Sequence, residues 1–219
     1  MRDMAFNAGM GGGAGALIAL VGVDGSARQP QHTRLLARRA HTRDLADAAH
    51  LLCVLHASHP GVFAHAARRA IGTPAEEWLA DLAQAFAAER EYLIRLVAAA
   101  GPLPSTPGQA ETEAVVSAQR HALEMLAQSD RSGCALGAAA ALSLDWAAMR
   151  QVFDHTARKL ELPVITSTFP PAHDSATLIA TFASDPGFER AMLFGAQQLL
   201  AQHRGLWNLL EARSGARAH

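Results

Sequence analysis

The chain has 219 residues and a formal net charge of −1, and 50% of its residues are hydrophobic, 18% charged and 5% aromatic. This composition excludes a disordered chain and favours one domain, or at most two, with a sizeable core. The balanced charge and the lack of a recognisable reading motif argue against nucleic-acid binding. Abundant alanine favours closely packed helices over a β-sheet. Two separated cysteines, Cys53 and Cys134, indicate buried thiols in a reducing compartment.

The N-terminal region combines a glycine-rich stretch from Gly9 to Gly15 with a short apolar run over residues 16–21. The run is too short to span a bilayer, and it lacks the basic flank that is typical of a signal peptide. The glycines precede the apolar run instead of following a strand, so they do not fit a dinucleotide-binding loop. We therefore expect a cytoplasmic protein that does not associate with membranes, with residues 1–31 as a glycine-rich arm or short helix.

Residues 33–59 follow a helical pattern, with a break expected near His41. His56 and His59 fall inside its apolar stripe, and because they are three residues apart they are neighbours on one face. Pro60 ends this helix. The same region holds a cluster of basic residues, for which we expect a solvated or ion-paired face, with an anion-binding role as the alternative. The cluster consists of Arg34, Arg38, Arg39 and Arg43.

The clearest helix start lies at residues 73–76, where Thr73 is the expected N-cap and Glu76 completes a capping box. The helix is predicted to run from Pro74 to residue 99. Glu89 falls in the middle of the apolar stripe of this helix. A buried carboxylate is costly without a partner, so Glu89 is the first candidate for a functional residue.

Two further long helices are predicted at residues 109–128 and 134–161. The segment 135–141 in the second is almost entirely small residues, which lets helix axes approach closely and predicts the tightest crossing of the bundle. Gln119 lies inside the apolar stripe of the first helix. Asp145 lies at the edge of the stripe of the second.

The C-terminal part begins with a proline-containing loop at residues 162–173, which is long enough to cover one end of a bundle. A short helix is predicted at residues 175–183. The last helix is predicted to begin after the N-cap Asp185 and to end near Arg213. His203 falls in the middle of its apolar stripe.

These elements predict an all-α protein, a roughly antiparallel helical bundle of four long helices with two or three short ones. Residues 32–213 form the single bundle domain, and residues 214–219 are expected to be a frayed tail. The helices carry large Ala/Leu surfaces and few charges, which favours a homodimer.

The apolar stripes contain four candidate metal ligands, namely His56, His59, Glu89 and His203. Bundle cores are where such sites are built, and two or three imidazoles with one carboxylate suit zinc, iron or manganese. Three further polar residues lie near them in projection, Gln119, Asp145 and Glu189. Such a protein would be a metal-binding bundle with a redox or hydrolytic activity.

The other interpretation, which the sequence favours, is a structural network of histidines and carboxylates. A buried histidine is often only hydrogen-bonded to a neighbour such as Glu89. The protein would then be a non-catalytic binding or interaction protein whose polar network lines a pocket for a small apolar ligand. The chain has no P-loop, no Gly-x-Ser-x-Gly elbow and no His-Glu-x-x-His motif. The sequence therefore assigns no catalytic residue.

Overall fold

The computed structural model describes residues 13–182 and 185–217. Within these ranges the chain forms nine α-helices and one short 3₁₀ helix at Ser26–Arg28, with no β-strand. The α-helices are α1 (Gly13–Asp24), α2 (Pro30–Leu36), α3 (Thr42–His56), α4 (Val62–Arg69), α5 (Glu76–Ala100), α6 (Gln109–Ala127), α7 (Cys134–Lys159), α8 (Ala172–Phe182) and α9 (Pro186–Ala216). The prediction of an all-α helical bundle is confirmed. No helix in the described ranges has the length and apolarity needed to cross a membrane.

Helices α7 and α9 cross at two glycines. A Cβ atom on Gly137 would lie 1.8 Å from the carbonyl oxygen of Met192, and one on Gly195 would lie 2.0 Å from the carbonyl oxygen of Cys134. Each glycine therefore packs directly against the backbone of the other helix. The close crossing predicted from the small residues at 135–141 is present.

The first helical region divides at the expected break, since α2 ends at Leu36 and α3 begins at Thr42. The end of this region was predicted too late, because α3 stops at His56 instead of continuing to His59. Pro60 explains the early end, since proline cannot continue a helix and disfavours helical geometry in the residue before it. His59 consequently lies outside the helix and is exposed.

The start of α5 also differs from the prediction, because the helix begins at Glu76, two residues after Pro74. Residues 73–75 form a turn instead. The Thr73 hydroxyl accepts a hydrogen bond from the amide of Ala75 at 3.3 Å, and the Glu76 carboxylate accepts one from the amide of Gly72 at 2.6 Å. The two side chains thus cap amides one residue away from those of a capping box.

Helix α9 begins as predicted, with the Asp185 carboxylate accepting hydrogen bonds from the amides of Gly187 and Phe188 at 2.7 and 3.0 Å. Its C-terminal end was predicted too early, because the helix continues to Ala216. The expected frayed tail is therefore helical over residues 214–216, where ion pairs with α3 hold the last turns in place.

The loop between α7 and α8, which we call the cover segment (residues 160–171), contacts α4, α5 and α7. Helix α8 begins at Ala172, before the expected residue 175. Ile165 accepts a hydrogen bond from Arg150 of α7 through its carbonyl oxygen. The Phe169 ring packs against Phe63 of α4, with ring centres 5.6 Å apart. The cover segment is thus held by polar and aromatic contacts.

Candidate functional site

Asp145 of α7 lies at the centre of a buried hydrogen-bond network. It is 3% exposed, and its carboxylate accepts hydrogen bonds from the Ser26 amide at 2.7 Å and the Ser26 hydroxyl at 2.6 Å. The imidazole Nδ1 of His203 lies 2.8 Å from the same carboxylate. Trp207 donates its indole N–H to the Ser26 hydroxyl at 2.9 Å. The network joins the turn after α1 to helices α7 and α9.

These contacts determine the protonation state of Asp145. Burial by itself would raise the pKa of the carboxyl, but hydrogen bonds from His203 and Ser26 outweigh this effect and hold the pKa below its usual range. The carboxylate is therefore ionised at neutral pH, and Nδ1 of His203 is its hydrogen-bond donor. When His203 carries a proton on Nδ1 alone, its Nε2 has a free lone pair.

Ser26, Asp145 and His203 are the residue types of a hydrolytic triad, but they are connected differently. In a triad the serine hydroxyl donates to the imidazole, which serves as its base. Here the Ser26 hydroxyl donates to the Asp145 carboxylate and also accepts from Trp207. The serine therefore has no imidazole to activate it, and the trio acts as a structural connection.

His56 and His203 are brought together in the core. They are 4% and 1% exposed, and their ring centres lie 5.1 Å apart at an interplanar angle of 79°. The Nε2 atom of each ring is buried and has no hydrogen-bond partner within residues 13–182 and 185–217. Burial, with a smaller contribution from His203, lowers the pKa of His56 well below its ordinary value, so this imidazole is neutral at pH 7.

Glu89 is buried as its position in the stripe predicted, and its partners are residues of α7 and the cover segment. Arg150 lies 2.7 and 2.8 Å from the two carboxylate oxygens. The Trp146 indole donates at 3.0 Å and the Ser167 hydroxyl at 2.5 Å. Glu89 thus binds α7 through an ion pair and the cover segment through the Ser167 hydrogen bond.

Two of the four predicted metal ligands, His56 and His203, are therefore neighbours. Glu89 is occupied by Arg150, and His59 is exposed at the end of α3. In the part of the chain that the structure describes, no three histidine, cysteine, aspartate or glutamate side chains are grouped to hold a metal ion. A zinc, iron or manganese site with all four ligands stays a prediction.

Arg150 also reaches residues beyond Glu89. It donates to the Asp154 carboxylate at 2.8 Å, and its guanidinium group lies over the Tyr92 ring, 4.3 Å from the ring centre. The Tyr92 hydroxyl donates to Asp154 at 3.2 Å. Burial and the charge of Asp154 raise the pKa of Tyr92 to about 12, so the hydroxyl remains a donor over the physiological range.

A second buried ion pair connects α9 to α3. Arg213 binds Asp47 through two hydrogen bonds of 3.0 and 3.1 Å, and both residues are at most 3% exposed. The Pro104 carbonyl oxygen accepts a further hydrogen bond from Arg213 at 3.0 Å, and Arg217 adds an ion pair to Asp47 at 2.6 Å. These contacts join the C-terminal end of the chain to α3 and to the proline-rich connector before α6.

Sequence reasoning missed Arg150, Arg213 and Ser26. Arg150 lies four residues after Trp146, and Arg213 lies three residues after Leu210, so both continue an apolar stripe. Both arginines could have been predicted as buried residues by the argument applied to Glu89, that a charged side chain in an apolar stripe needs a partner. Ser26 is different, because no local signal in the sequence indicates its partner 119 residues away.

A cavity of about 440 Å³ lies elsewhere in the protein, between α4, the start of α5, the loop before α7 and the first turn of α9. Its apolar lining residues include Ala66, Ala70, Leu79, Leu136, Phe182 and Phe188. Its polar lining residues, which form a polar edge, are Arg69, Thr73, Ser129, Asp130, Arg131 and Ser132. We call it the arginine-edged cavity, and it shares no lining residue with the buried polar network.

The arginine cluster at residues 34–43 lies on the surface, as expected. Arg34 pairs with Glu211 of α9 at 2.5 Å, and the other three arginines are exposed. Exposed pairs of this kind contribute little to stability. The cluster contributes no enclosed site.

One family model matches the chain. Comparisons with curated proteins and with solved structures found no match. The model of a family of unknown function, DUF6975, matches residues 21–218, a range that includes the buried network and the arginine-edged cavity. Because this match covers most of the chain, the protein belongs to the family of unknown function DUF6975.

Proposed function

We propose that this protein is a binding protein for a small molecule with an apolar body and an anionic group, which occupies the arginine-edged cavity. The observation that carries this proposal is the cavity itself. Its volume of about 440 Å³ falls within the roughly 300–1,000 Å³ of small-molecule sites, which are mostly apolar with a few polar groups.

The apolar and the polar lining residues of the cavity suit the apolar body and the anionic group of such a ligand. Phe182, Phe188 and Leu136 offer an apolar surface for a chain or ring. Two arginines, Arg69 and Arg131, line the cavity together with one carboxylate, that of Asp130. An anionic group on the ligand would balance this edge and accept charge-assisted hydrogen bonds.

Arg69 has a partner that it can exchange for a ligand. It lies 2.7 Å from the Asp130 carboxylate, but the Asp130 side chain is 96% exposed. Exposed ion pairs are worth roughly 0–1 kcal/mol, so turning Arg69 towards a bound anion costs little. The buried ion pairs of Glu89 and Asp47 cannot be broken at so little cost, so we place the ligand in the cavity and not in the core.

Titration calorimetry with decanoate, decanol and decylammonium would test the proposal, because these probes share one chain length and differ in charge. We expect decanoate to bind at least tenfold more tightly than the other two, a difference of about 1.4 kcal/mol. Replacing Arg69 by methionine should remove most of that preference. Exposed Arg95 lies away from the cavity, so Arg95→Met is the matched control and should bind as the wild type.

A blocking variant separates cavity binding from surface binding. Ser132 is exposed at the polar edge, so Ser132→Trp fills the mouth of the cavity without disturbing the core. It should abolish decanoate binding, whereas Ser117→Trp on the exposed face of α6 should not. The proposal fails if none of the three probes binds, or if decanoate binds Ser132→Trp as tightly as the wild type.

A further inference from the structure

The Nε2 atoms of His56 and His203 are buried without a hydrogen-bond partner in the described chain. A buried polar atom without a partner costs free energy, and such atoms in folded proteins usually have a partner that explains them. The two ring centres lie 5.1 Å apart, close enough for one ion to reach both imidazoles. We propose that this partner is a copper(I) ion bound by the two imidazoles, at a site separate from the arginine-edged cavity.

The hydrogen bonding of His203 is that of a metal ligand. Metal-binding histidines usually donate their other ring N–H to a carboxylate or carbonyl, which fixes the tautomer and the ring orientation. His203 has this arrangement, because Nδ1 lies 2.8 Å from the Asp145 carboxylate. Asp145 is in turn held by the Ser26 amide and hydroxyl, so the ring cannot rotate without breaking the network.

The charge of the surroundings selects a monovalent ion. The two imidazoles are neutral ligands, and the carboxylate of Asp145 behind His203 carries one negative charge. A copper(I) ion would balance that charge, whereas a divalent ion would leave an uncompensated positive charge in a dry core. Imidazole is a suitable ligand for copper, and the pair has neither the four ligands nor the thiolates of a structural zinc site.

A narrow cleft reaches His56. It has a volume of about 20 Å³ and is lined by His56 together with Ser58, Gly61 and Arg120, of which Arg120 is exposed. This space is sufficient for one water molecule beside His56. The Trp146 and Phe86 rings also lie beside His56, with ring centres 5.6 and 6.4 Å away.

The test is an anaerobic titration of the full chain with copper(I) in competition with a chromophoric chelator. Cys53 and Cys134 are replaced by alanine in all samples, because thiolates also bind copper(I). We expect one ion per chain. His56→Leu and His203→Gln should each weaken binding at least tenfold. The matched control is His32→Gln, since His32 is also buried but its Nε2 is already bonded to the Ala148 carbonyl at 2.9 Å.

A second measurement covers the case in which His203→Gln does not fold. X-ray absorption of the copper-loaded cysteine-free chain should show two imidazole nitrogens, and the ring signals of His56 and His203 in NMR spectra should shift while those of His32 do not. Three results would each overturn the proposal: unchanged ring signals, equal affinity in His56→Leu, or zinc(II) binding in place of copper(I). The arginine-edged cavity has its own probes and variants, so either proposal can fail alone.

Discussion

His56 shows how burial determines the chemistry of a single residue. It is enclosed by Trp146, Phe86 and His203, and burial lowers its pKa well below 6.5. In the unfolded chain the same imidazole titrates near its ordinary value. Between the two pKa values the unfolded chain binds more protons, so the free energy of unfolding falls as the pH falls below about 6.5.

We predict that this decline has a slope of up to about 1.4 kcal/mol per pH unit in the metal-free protein, and that His56→Leu flattens it. Urea denaturation from pH 7.5 to 5.0 would measure the slope. His121→Gln is the control, because the His121 side chain is 73% exposed. An unchanged slope in His56→Leu would show that protonation of His56 does not contribute.

The ion pair of Glu89 and Arg150 is the other feature that acts at the scale of single residues. Removing one partner of a buried pair typically costs about 3–5 kcal/mol, because the other charge remains buried. Asp154 still contacts Arg150, so we expect Glu89→Leu to lie at the lower end of this range. Denaturant unfolding should also show that Glu89→Leu with Arg150→Met costs less than the sum of the single changes.

The comparison for this prediction is the exposed pair of Arg34 and Glu211, whose side chains are 60% and 41% exposed. Glu211→Ala should change the free energy of unfolding by no more than about 1 kcal/mol. If Glu89→Leu also stays within about 1 kcal/mol, Glu89 does not act as a buried anchor of the cover segment.

At the scale of elements, the crossing of α7 and α9 depends on Gly137 and Gly195. A Cβ atom on either glycine would lie no more than 2.0 Å from a backbone carbonyl oxygen of the other helix. Backbone cannot move aside as a flexible side chain can. We expect Gly137→Ala to destabilise the protein by about 1–3 kcal/mol, the typical cost of overpacking. Thermal unfolding would measure this change.

Gly22 of α1 is the matched control, since a Cβ there meets nothing within 4 Å. Alanine is the better helix former, so Gly22→Ala should be neutral or stabilising by up to about 1 kcal/mol. If Gly137→Ala also stabilised the protein, helix propensity rather than close packing would govern both positions, and the account of the crossing would be wrong.

At the scale of the whole molecule, two ion-pair clusters hold distant parts of the chain together. Asp47 joins α3 to Arg213 near the end of α9, and Glu89 joins α5 to α7 and the cover segment. Because each pair is buried, each specifies one arrangement of its helices: a misplaced helix would leave a charge without a partner.

We propose that the protein is a homodimer that forms through apolar residues on its outer surface. Met125 of α6 and Phe194 of α9 are 60% and 42% exposed, and they line an open groove of about 270 Å³. Light scattering at micromolar concentration should give the mass of two chains, and Met125→Glu with Phe194→Glu should reduce it to that of one. A wild-type mass of one chain would contradict the dimer.

The sequence by itself determined the fold class, the main helices and the burial of His56, Glu89, Gln119 and His203. These features follow from periodicity and from capping and breaking residues, which act over a few positions of the chain. Helix ends were less accurate. Pro60 placed the end of α3 too late, and the ion pairs that extend α9 to Ala216 involve residues that are far away in sequence.

Only the tertiary structure decided which polar residues meet. The apolar stripes of three helices predict four candidate ligands. In the structure Glu89 binds Arg150, and His59 lies outside its helix. His56 and His203 lie together beside Asp145. The stripe of a helix shows that a side chain points inward, but the partner depends on how helices rotate and shift against each other. That relation is fixed by packing of the whole core, such as the contact of Gly137 with α9, and no short stretch of sequence contains it.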